Sequence, residues 1–285
     1  MASVVERLAD ARARLEAAGL APAHASLDAE ILARHALDWD RATLIARGRD
    51  PEPDGFAPAF DALVSRRVLR QPVAQITGTR EFWGRDFIVT PDVLVPRPET
   101  ELIVEAAMAF ARRQFCQHVV DVGTGSGCLA VTIACELPDV RVTAVDTSEA
   151  ALEVARHNAA RHGVNGRIDF CHGDLFEGVK PRADLIVSNP PYVPDADAAQ
   201  MQEEVVRFEP HVALFGGPTG LDIVQRLLTE APAHLADHGQ LVVEFGFGQE
   251  DAVRALAAST GWVVAGLRED LQGIPRTIVL ARGGL

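Results

Sequence analysis

An asparagine, two prolines and a tyrosine stand side by side at Asn189-Pro190-Pro191-Tyr192, directly after an apolar run, Asp184-Leu185-Ile186-Val187-Ser188, that reads as a buried strand. The asparagine amide carries a carbonyl acceptor and an NH2 donor pair. Consecutive prolines fix φ and remove two backbone donors, so the carbonyls of this stretch are acceptors with no adjacent N–H in competition. Tyr192, the only tyrosine of the chain, adds a flat ring that can pack on a planar group. The four residues together suit a planar –NH2, gripped by acceptors and stacked on an aromatic face. Amides and exocyclic base amines are such groups. The plainer alternative is a turn that ends a strand, since proline cannot continue a central one.

A second stretch with chemical potential is Asp121-Val122-Gly123-Thr124-Gly125-Ser126-Gly127, which closes one predicted strand and opens a helix. A glycine-rich turn there lets a ligand approach the backbone closely. It is not the Gly-x-Gly-x-x-Gly fingerprint, because Cys128 holds the third position, and no Gly-Lys-Ser/Thr follows to make a phosphate loop. Alone, it is equally an ordinary tight turn. Asp146 ends the next predicted strand, 23 residues beyond Gly123, where a carboxylate can accept hydrogen bonds from both ribose hydroxyls of an adenosyl group. Asp174, in Gly173-Asp174-Leu175-Phe176, ends the third and could accept from an adenine amino group. Asn189 ends the fourth. All lie at carboxyl ends of parallel strands, where open α/β sheets bind ligands.

The elements that must position these groups follow from hydrophobic period. Strands are predicted over 118–122, 141–145, 168–171, 185–187 and 240–245, alternating with helices over 129–137, 150–162, 221–235 and 250–260. That alternation implies a mostly parallel, Rossmann-like α/β sheet covered on both faces. Segments 262–267 and 277–281 have no helical pattern between them and form an antiparallel closing pair. Upstream, Val4, Leu8, Ala11, Leu15 and Ala18 recur at helix spacing behind a capping box of Ser3 and Glu6. Further helices are predicted over 27–37 with Ser26 as N-cap, over 41–46, and over 56–69 after the breaker Asp50-Pro51-Glu52-Pro53-Asp54-Gly55. This reads as a small N-terminal helical bundle. Phe82 to Val89 suggests two short strands around a Gly84 turn. A proline-marked connector, Val95-Pro96-Arg97-Pro98-Glu99-Thr100-Glu101, then leads into a helix over 101–113. The expected division is a helical domain over 1–72, a β-hairpin linker over 73–95 and a catalytic domain over 96–285.

Composition narrows the function classes. The 285 residues are 48% hydrophobic, enough for a real core, with no run of 18 apolar residues to span a membrane. Ser3-Val4-Val5-Glu6-Arg7-Leu8-Ala9-Asp10 carries charges where a signal peptide would be apolar. Cys116, Cys128, Cys135 and Cys171 lack Cys-x-x-Cys spacing and read as small buried residues of a reduced, cytoplasmic protein. The nine histidines form no metal-ligand constellation, so no metal is expected. Net charge is −13, of which residues 1–70 (11 acids, 10 bases) hold −1 and residues 71–285 (29 acids, 17 bases) hold −12. The larger part is a poor match to a phosphate backbone, so neither nucleic acid nor membrane is expected as a partner.

Gly-x-Gly-x-Gly, Asp146 and Asn-Pro-Pro-Tyr in this order resemble a class I S-adenosylmethionine-dependent methyltransferase, and the tetrad narrows the resemblance to those that methylate an –NH2 nitrogen. The connector narrows it again. Pro96-Arg97-Pro98-Glu99-Thr100-Glu101, preceded by Gln71-Pro72-Val73-Ala74 and Gly78-x-x-Glu81-Phe82-Trp83-Gly84, looks like the protein-(glutamine-N5) methyltransferases that act on peptide chain release factors. Glu209-Pro210-His211-x-Ala213-Leu214 and Gly216-Gly217-x-x-Gly220-Leu221 fit as well. The resemblance covers nearly the whole chain, most strongly 71–250. Two positions depart from it. Leu175 stands where some members carry tryptophan beside the adenine, and Phe215 stands where aspartate is frequent.

The resemblance implies transfer of a methyl group from S-adenosyl-L-methionine, released as S-adenosyl-L-homocysteine, to the glutamine of a Gly-Gly-Gln loop in a release factor. It implies cofactor contacts at Gly123, Thr124, Gly125, Ser126, Gly127, Asp146, Asp174, Leu175 and Asn189. Asn189, Pro190, Pro191 and Tyr192 are implied for the substrate, with Asn189, Pro190 and Tyr192 as the catalytic set. Asn189 Oδ1 and the Pro190 carbonyl would accept the two amide N–H bonds, while Tyr192 packs on the amide plane. Glu99 and Glu101 either frame the pocket or serve as ordinary acids at a helix start. The competing readings are a ribosomal-protein glutamine methyltransferase, an adenine-amine DNA methyltransferase, which would have to flip its base, and a non-enzymatic binding module.

Overall fold

A computed structural model of the chain describes residues 2–180 and 182–283. In chain order, α1 (Val4–Ala17), α2 (Pro22–Leu37), α3 (Arg41–Arg47), α4 (Phe56–Val68) and α5 (Val73–Thr77) precede a hairpin of β1 (Thr79–Phe82) and β2 (Arg85–Ile88). Then come α6 (Glu101–Ala111), β3 (His118–Val122), α7 (Cys128–Glu136), β4 (Arg141–Asp146), α8 (Glu149–Arg161), β5 (Ile168–His172) and β6 (Ala183–Ser188). They are followed by α9 (Glu203–Phe208), α10 (Asp222–His234), β7 (Leu235–Glu244), α11 (Glu250–Ser259), β8 (Trp262–Glu269) and β9 (Pro275–Arg282).

One compact unit comprises the described residues up to Thr79 together with Gln202–Phe208. Its helices close on a core that includes Leu15, Leu32, Phe56, Phe60 and Val64. The capping box forms as expected, with Ser3 N–H donating to Glu6 Oε2 at 2.7 Å and Glu6 N–H to Ser3 Oγ at 3.3 Å. Asp40 caps α3 by accepting the Thr43 N–H at 2.7 Å. The second helix departs from expectation. It starts at Pro22 rather than at residue 27, with Ala21 as an N-cap that makes no side-chain bond, and Ser26 lies inside it. Proline presets the φ of a first helical turn and needs no partner for its missing N–H, and that preference outweighed the serine. Segment 202–208 joins this unit through buried charge. Arg67 donates to Asp28 Oδ2 at 2.7 Å and to Glu204 Oε1 at 3.2 Å, and Arg70 donates to Glu204 Oε2 at 2.6 Å. Gln75 Nε2 adds a bond to the Phe208 carbonyl at 2.8 Å.

The other unit holds a seven-stranded sheet in the order β5-β4-β3-β6-β7-β9-β8. Strands β3 to β7 pair in parallel, and β9 runs antiparallel between β7 and β8. This is the expected mostly parallel sheet, with the closing hairpin turned inward so that β9, not β8, meets β7. Strands with two buried faces explain the continuous valines. Val119, Leu185, Val187 and Val242 pack on one side with α6, α7 and α8. Val120, Ile186, Leu241 and Val243 pack on the other with α10 and α11. Strand β7 begins at Leu235, five residues before the expected start, with an irregularity in its pairing to β6 between Ala183 and Leu185. The β1–β2 turn is Trp83-Gly84, both at positive φ (53° and 69°), the backbone a two-residue hairpin with right-handed twist requires. Segment 73–95 therefore contains a hairpin, but it opens with the short helix α5, which the prolines and Gly78 had hidden.

The four cysteines are free, and all are partly rather than fully exposed or buried. Burial pushes the Cys116 and Cys128 thiols up to about 12, so both stay protonated and unreactive at neutral pH. No described helix is long and apolar enough to cross a membrane.

Candidate functional site

The strand order reverses between β3 and β6, which are neighbours. Connections leave such a point in opposite directions and open a crevice at the carboxyl ends. A cavity lies there, and its lining includes Gly123, Gly125, Asp146, Leu175, Asn189 and Pro190. The sequence-predicted residues are thus brought together with two exceptions: Gly127 and Tyr192 are not among the lining residues.

The glycine loop is tied to the neighbouring strand. The Gly123 and Thr124 N–H groups donate to the Val145 carbonyl at 2.8 and 2.9 Å. Gly125 N–H donates to Asp146 Oδ2 at 2.8 Å, and Ser148 N–H to Asp146 Oδ1 at 2.9 Å. Burial raises the Asp146 carboxyl from its ordinary value, and these backbone bonds oppose that rise. Gly127 has another task. A Cβ there would lie 3.0 Å from Ala155 Cβ and 3.1 Å from its Cα, at a φ of 78°. It lets α7 start hard against α8, the close-packing role that a third fingerprint glycine has elsewhere. Beneath the loop, fully buried Asp121 accepts from Thr124 Oγ1 at 2.6 Å and from the Ala130 N–H at 3.1 Å through Oδ2. Its Oδ1 has no partner among the described residues, and burial pushes the carboxyl up to about 7.

Two residues that sequence reasoning did not single out support this half. Asn158 on α8 is fully buried. Its Nδ2 donates to the Ser126 carbonyl at 2.8 Å and to the Ile88 carbonyl at 3.1 Å, while its Oδ1 accepts the Ile88 N–H at 2.7 Å. One amide therefore fixes both the loop and the hairpin edge. Arg226 on α10 clasps Asp174 through both oxygens, at 3.3 and 2.8 Å. The expected adenine acceptor consequently shares its lone pairs with a guanidinium. Leu175 beside it is 6% exposed and sits at φ 49°, in the left-handed region, a conformation that costs a non-glycine residue roughly 1–2 kcal/mol.

On the tetrad side, Asn189 Nδ2 donates to Thr100 Oγ1 at 2.9 Å. Thr100 Oγ1 donates to Glu244 Oε2 at 2.8 Å, and Tyr192 OH donates to Glu244 Oε1 at 3.1 Å. Glu244, at the carboxyl end of β7, is 1% exposed, and burial raises its carboxyl to about 7. Burial beside that carboxyl also raises the Tyr192 phenol. Pro190 and Pro191 line the cavity, whereas Tyr192 turns its hydroxyl toward Glu244 and its carbonyl accepts from Gln249 Nε2 at 2.8 Å. Among the described residues no group donates to Asn189 Oδ1 or to the Pro190 carbonyl. The segment Gly216 to Gly220 braces the tetrad from behind: a Cβ on Gly216 would lie 2.5 Å from the Pro191 carbonyl oxygen, and one on Gly220 would collide with that of Tyr192.

The connector before Thr100 is pinned by Glu209, which accepts the Val95 N–H at 3.0 Å and Arg97 Nη2 at 2.7 Å. Glu101 accepts the Trp83 N–H at 2.8 Å and so serves the hairpin turn. Neither Glu99 nor Glu101 is among the residues lining the cavity. Among the described residues no group of three His, Cys, Asp or Glu side chains could hold a metal ion. Glu244 had one sequence signal, an acid closing the apolar run Leu241-Val242-Val243, the pattern that pointed to Asp146.

Residues 6–78 match the family profile described as PrmC N-terminal domain, and residues 100–212 match Methyltransferase small domain. The chain is 44% identical over 267 residues to the release factor glutamine methyltransferase of Cereibacter sphaeroides, covering 93% of each chain. It is 42% identical over 280 residues to that of Xylella fastidiosa, covering 98% of each. Among solved structures it is similar to a methyltransferase from Pyrococcus furiosus, with a TM-score of 0.53 at 20% identity, covering 77% of this chain and 98% of that one. At that identity the likeness concerns the fold.

Proposed function

The chain belongs to the release factor glutamine methyltransferase family, and from that premise we propose how its residues perform the reaction. It is an enzyme that methylates a glutamine of a release factor. When bound, S-adenosylmethionine would supply an electrophilic methyl group, with S-adenosylhomocysteine as the product. The residues present fit it. The glycine loop, Asp146, Asp174 and Leu175 share one cavity, which sets carboxylate acceptors beside an apolar side chain as an adenosyl group requires. In this reading Asp146 keeps lone pairs for the ribose hydroxyls beyond its bonds to Gly125 and Ser148. Leu175 offers the adenine an aliphatic face, with Asp174 beside it. The backbone of Gly123, Thr124, Gly125 and Ser126 lines the approach, and Gly127 shapes the turn.

The substrate is the side-chain amide of the glutamine in a Gly-Gly-Gln loop. Its nitrogen is a poor nucleophile because the lone pair is delocalised into the carbonyl. Asn189 Oδ1 and the Pro190 carbonyl accept the two N–H bonds and aim the nitrogen into the cavity, and Pro191 shapes the wall next to them. Tyr192, which lies outside the cavity lining, anchors the end of the tetrad through its hydroxyl on Glu244. Positioning of this kind contributes about 7–11 kcal/mol when reacting atoms are held in near-attack geometry. The amide proton passes to water. One observation carries the reading: Asn189 commits its NH2 to Thr100, which leaves its carbonyl as the acceptor. The N-terminal helical unit is assigned to holding the release factor at a distance from the reacting glutamine.

Methyl-labelled S-adenosylmethionine with three acceptors tests this: a release factor, the same factor with its Gly-Gly-Gln glutamine changed to alanine, and duplex DNA. Label on the intact factor alone is the expected result. Label on the alanine variant, or on DNA, overturns the assigned target.

A further inference from the structure

We propose that Glu244 is the positioning residue that decides which way round the Asn189 amide sits, acting through the Thr100 hydroxyl. This rests on the reading that Asn189 Oδ1 is the acceptor for the substrate amide.

An asparagine amide is nearly symmetric in shape, and a half-turn about its last bond exchanges a carbonyl for an NH2. Packing alone distinguishes the two poorly, so the orientation must come from hydrogen bonds. A carboxylate is acceptor-only, whereas a hydroxyl has one proton to give and lone pairs to offer. Glu244 takes the proton of Thr100 at 2.8 Å and that of Tyr192 at 3.1 Å. With its proton committed, Thr100 Oγ1 can only accept, and the Asn189 group that meets it at 2.9 Å is therefore Nδ2. The carbonyl is turned outward as a consequence. The same carboxylate holds both ends of the tetrad, since Tyr192 is the last of its four residues.

The logic reverses when Glu244 is protonated. A carboxylic acid can donate to Thr100, which frees the Thr100 proton to face Asn189. That proton favours Oδ1, and the NH2 would then face the substrate NH2, donor against donor. The site should therefore work with Glu244 ionised. Glu99 raises this carboxyl and Arg276 lowers it. The Tyr192 phenol and the Cys128 thiol also feel its charge. Both are raised and stay neutral around pH 7, so Glu244 is the member of this cluster that changes charge there.

The test compares Thr100→Val, Thr100→Ser, Glu244→Gln and Asn189→Ala in the full-length enzyme. It measures kcat, KM for release factor, Kd for S-adenosylhomocysteine, and the pH profile of kcat. Thr100→Val and Glu244→Gln should each lower kcat by about 10- to 100-fold, the loss of one oriented hydrogen bond to a charged partner, with the cofactor Kd within about twofold. Thr100→Ser should regain most of that loss. Wild-type kcat should fall with acid around pH 7, and this limb should vanish in Glu244→Gln. A purely structural role for Glu244 would leave no such limb to lose. Wild-type kcat in Thr100→Val, with Asn189→Ala inactive, would overturn the inference while sparing the role of Asn189. Normal turnover in Asn189→Ala would overturn the reading beneath it. Should Glu244→Gln fail to fold, the Val and Ser pair at Thr100 decides alone.

Discussion

Asp146 Oδ2 accepts the Gly125 N–H at 2.8 Å, so the acid that ends β4 also holds the loop that ends β3. A residue assigned to the ribose is thereby a structural tie as well. Replacing it by alanine removes both functions. Asp146→Ala is predicted to raise the cofactor Kd by about 10- to 100-fold, equivalent to charge-assisted bonds of roughly 1.5–3 kcal/mol. Titration calorimetry with S-adenosylhomocysteine measures it, and an unchanged Kd would remove Asp146 from the site.

Asn189→Ala separates binding from turnover. Methylation of release factor should drop to background while the cofactor Kd stays within about twofold, if the proposed action of the asparagine on the acceptor holds. A single-turnover assay under saturating cofactor distinguishes the two. Near-normal turnover would refute the assigned role.

Gly127→Ala should destabilise the fold by about 1–3 kcal/mol, since its Cβ meets Ala155 at 3.0 Å and its φ of 78° suits glycine. Urea denaturation reads the loss. A variant as stable as wild type would show that α8 yields more easily than its packing suggests.

Stability should also depend on pH in an unusual direction. Burial raises Asp121 and Glu244 from their ordinary values to about 7, so between about pH 4 and pH 7 the folded chain holds protons that the unfolded chain has released. A raised carboxyl favours the folded state at low pH and withdraws that support as pH rises through the folded value. Asp121→Asn removes one such group. Relative to wild type, the variant should gain stability between pH 5 and pH 8, by an amount on the order of a few kcal/mol. Chemical denaturation at both pH values checks this, and a difference independent of pH would show that Asp121 is ionised throughout.

Much of the cavity lining could be read in advance because its residues are consecutive in two short stretches. The glycine loop and the tetrad are each one turn after one strand, and local chemistry identifies them. Thr100, Glu244, Asn158 and Arg226 act by pairing across the fold. Asn189 finds Thr100 from 89 residues away, and Thr100 finds Glu244 from 144. No spacing rule connects such positions. The same limit hid the membership of Gln202–Phe208 in the helical unit, which depends on Arg67 and Arg70 meeting Glu204. The early start of α2 has a local cause, the proline at position 22 that presets the first helical turn ahead of Ser26.

The clasp of Glu244 on Thr100 has a consequence for the order in which the enzyme comes into being. The glycine loop and Asp146 precede the tetrad in the chain, and the tetrad is complete at Tyr192. The carboxylate that takes the Thr100 proton arrives only at residue 244, and its bond closes a loop of 144 residues. Contacts of such long range pay their closure entropy before they return anything, so they form late. A growing or partly folded chain can thus hold the glycine-loop half of the cavity while Asn189 is still unaimed. Methylating competence is a property of the finished fold.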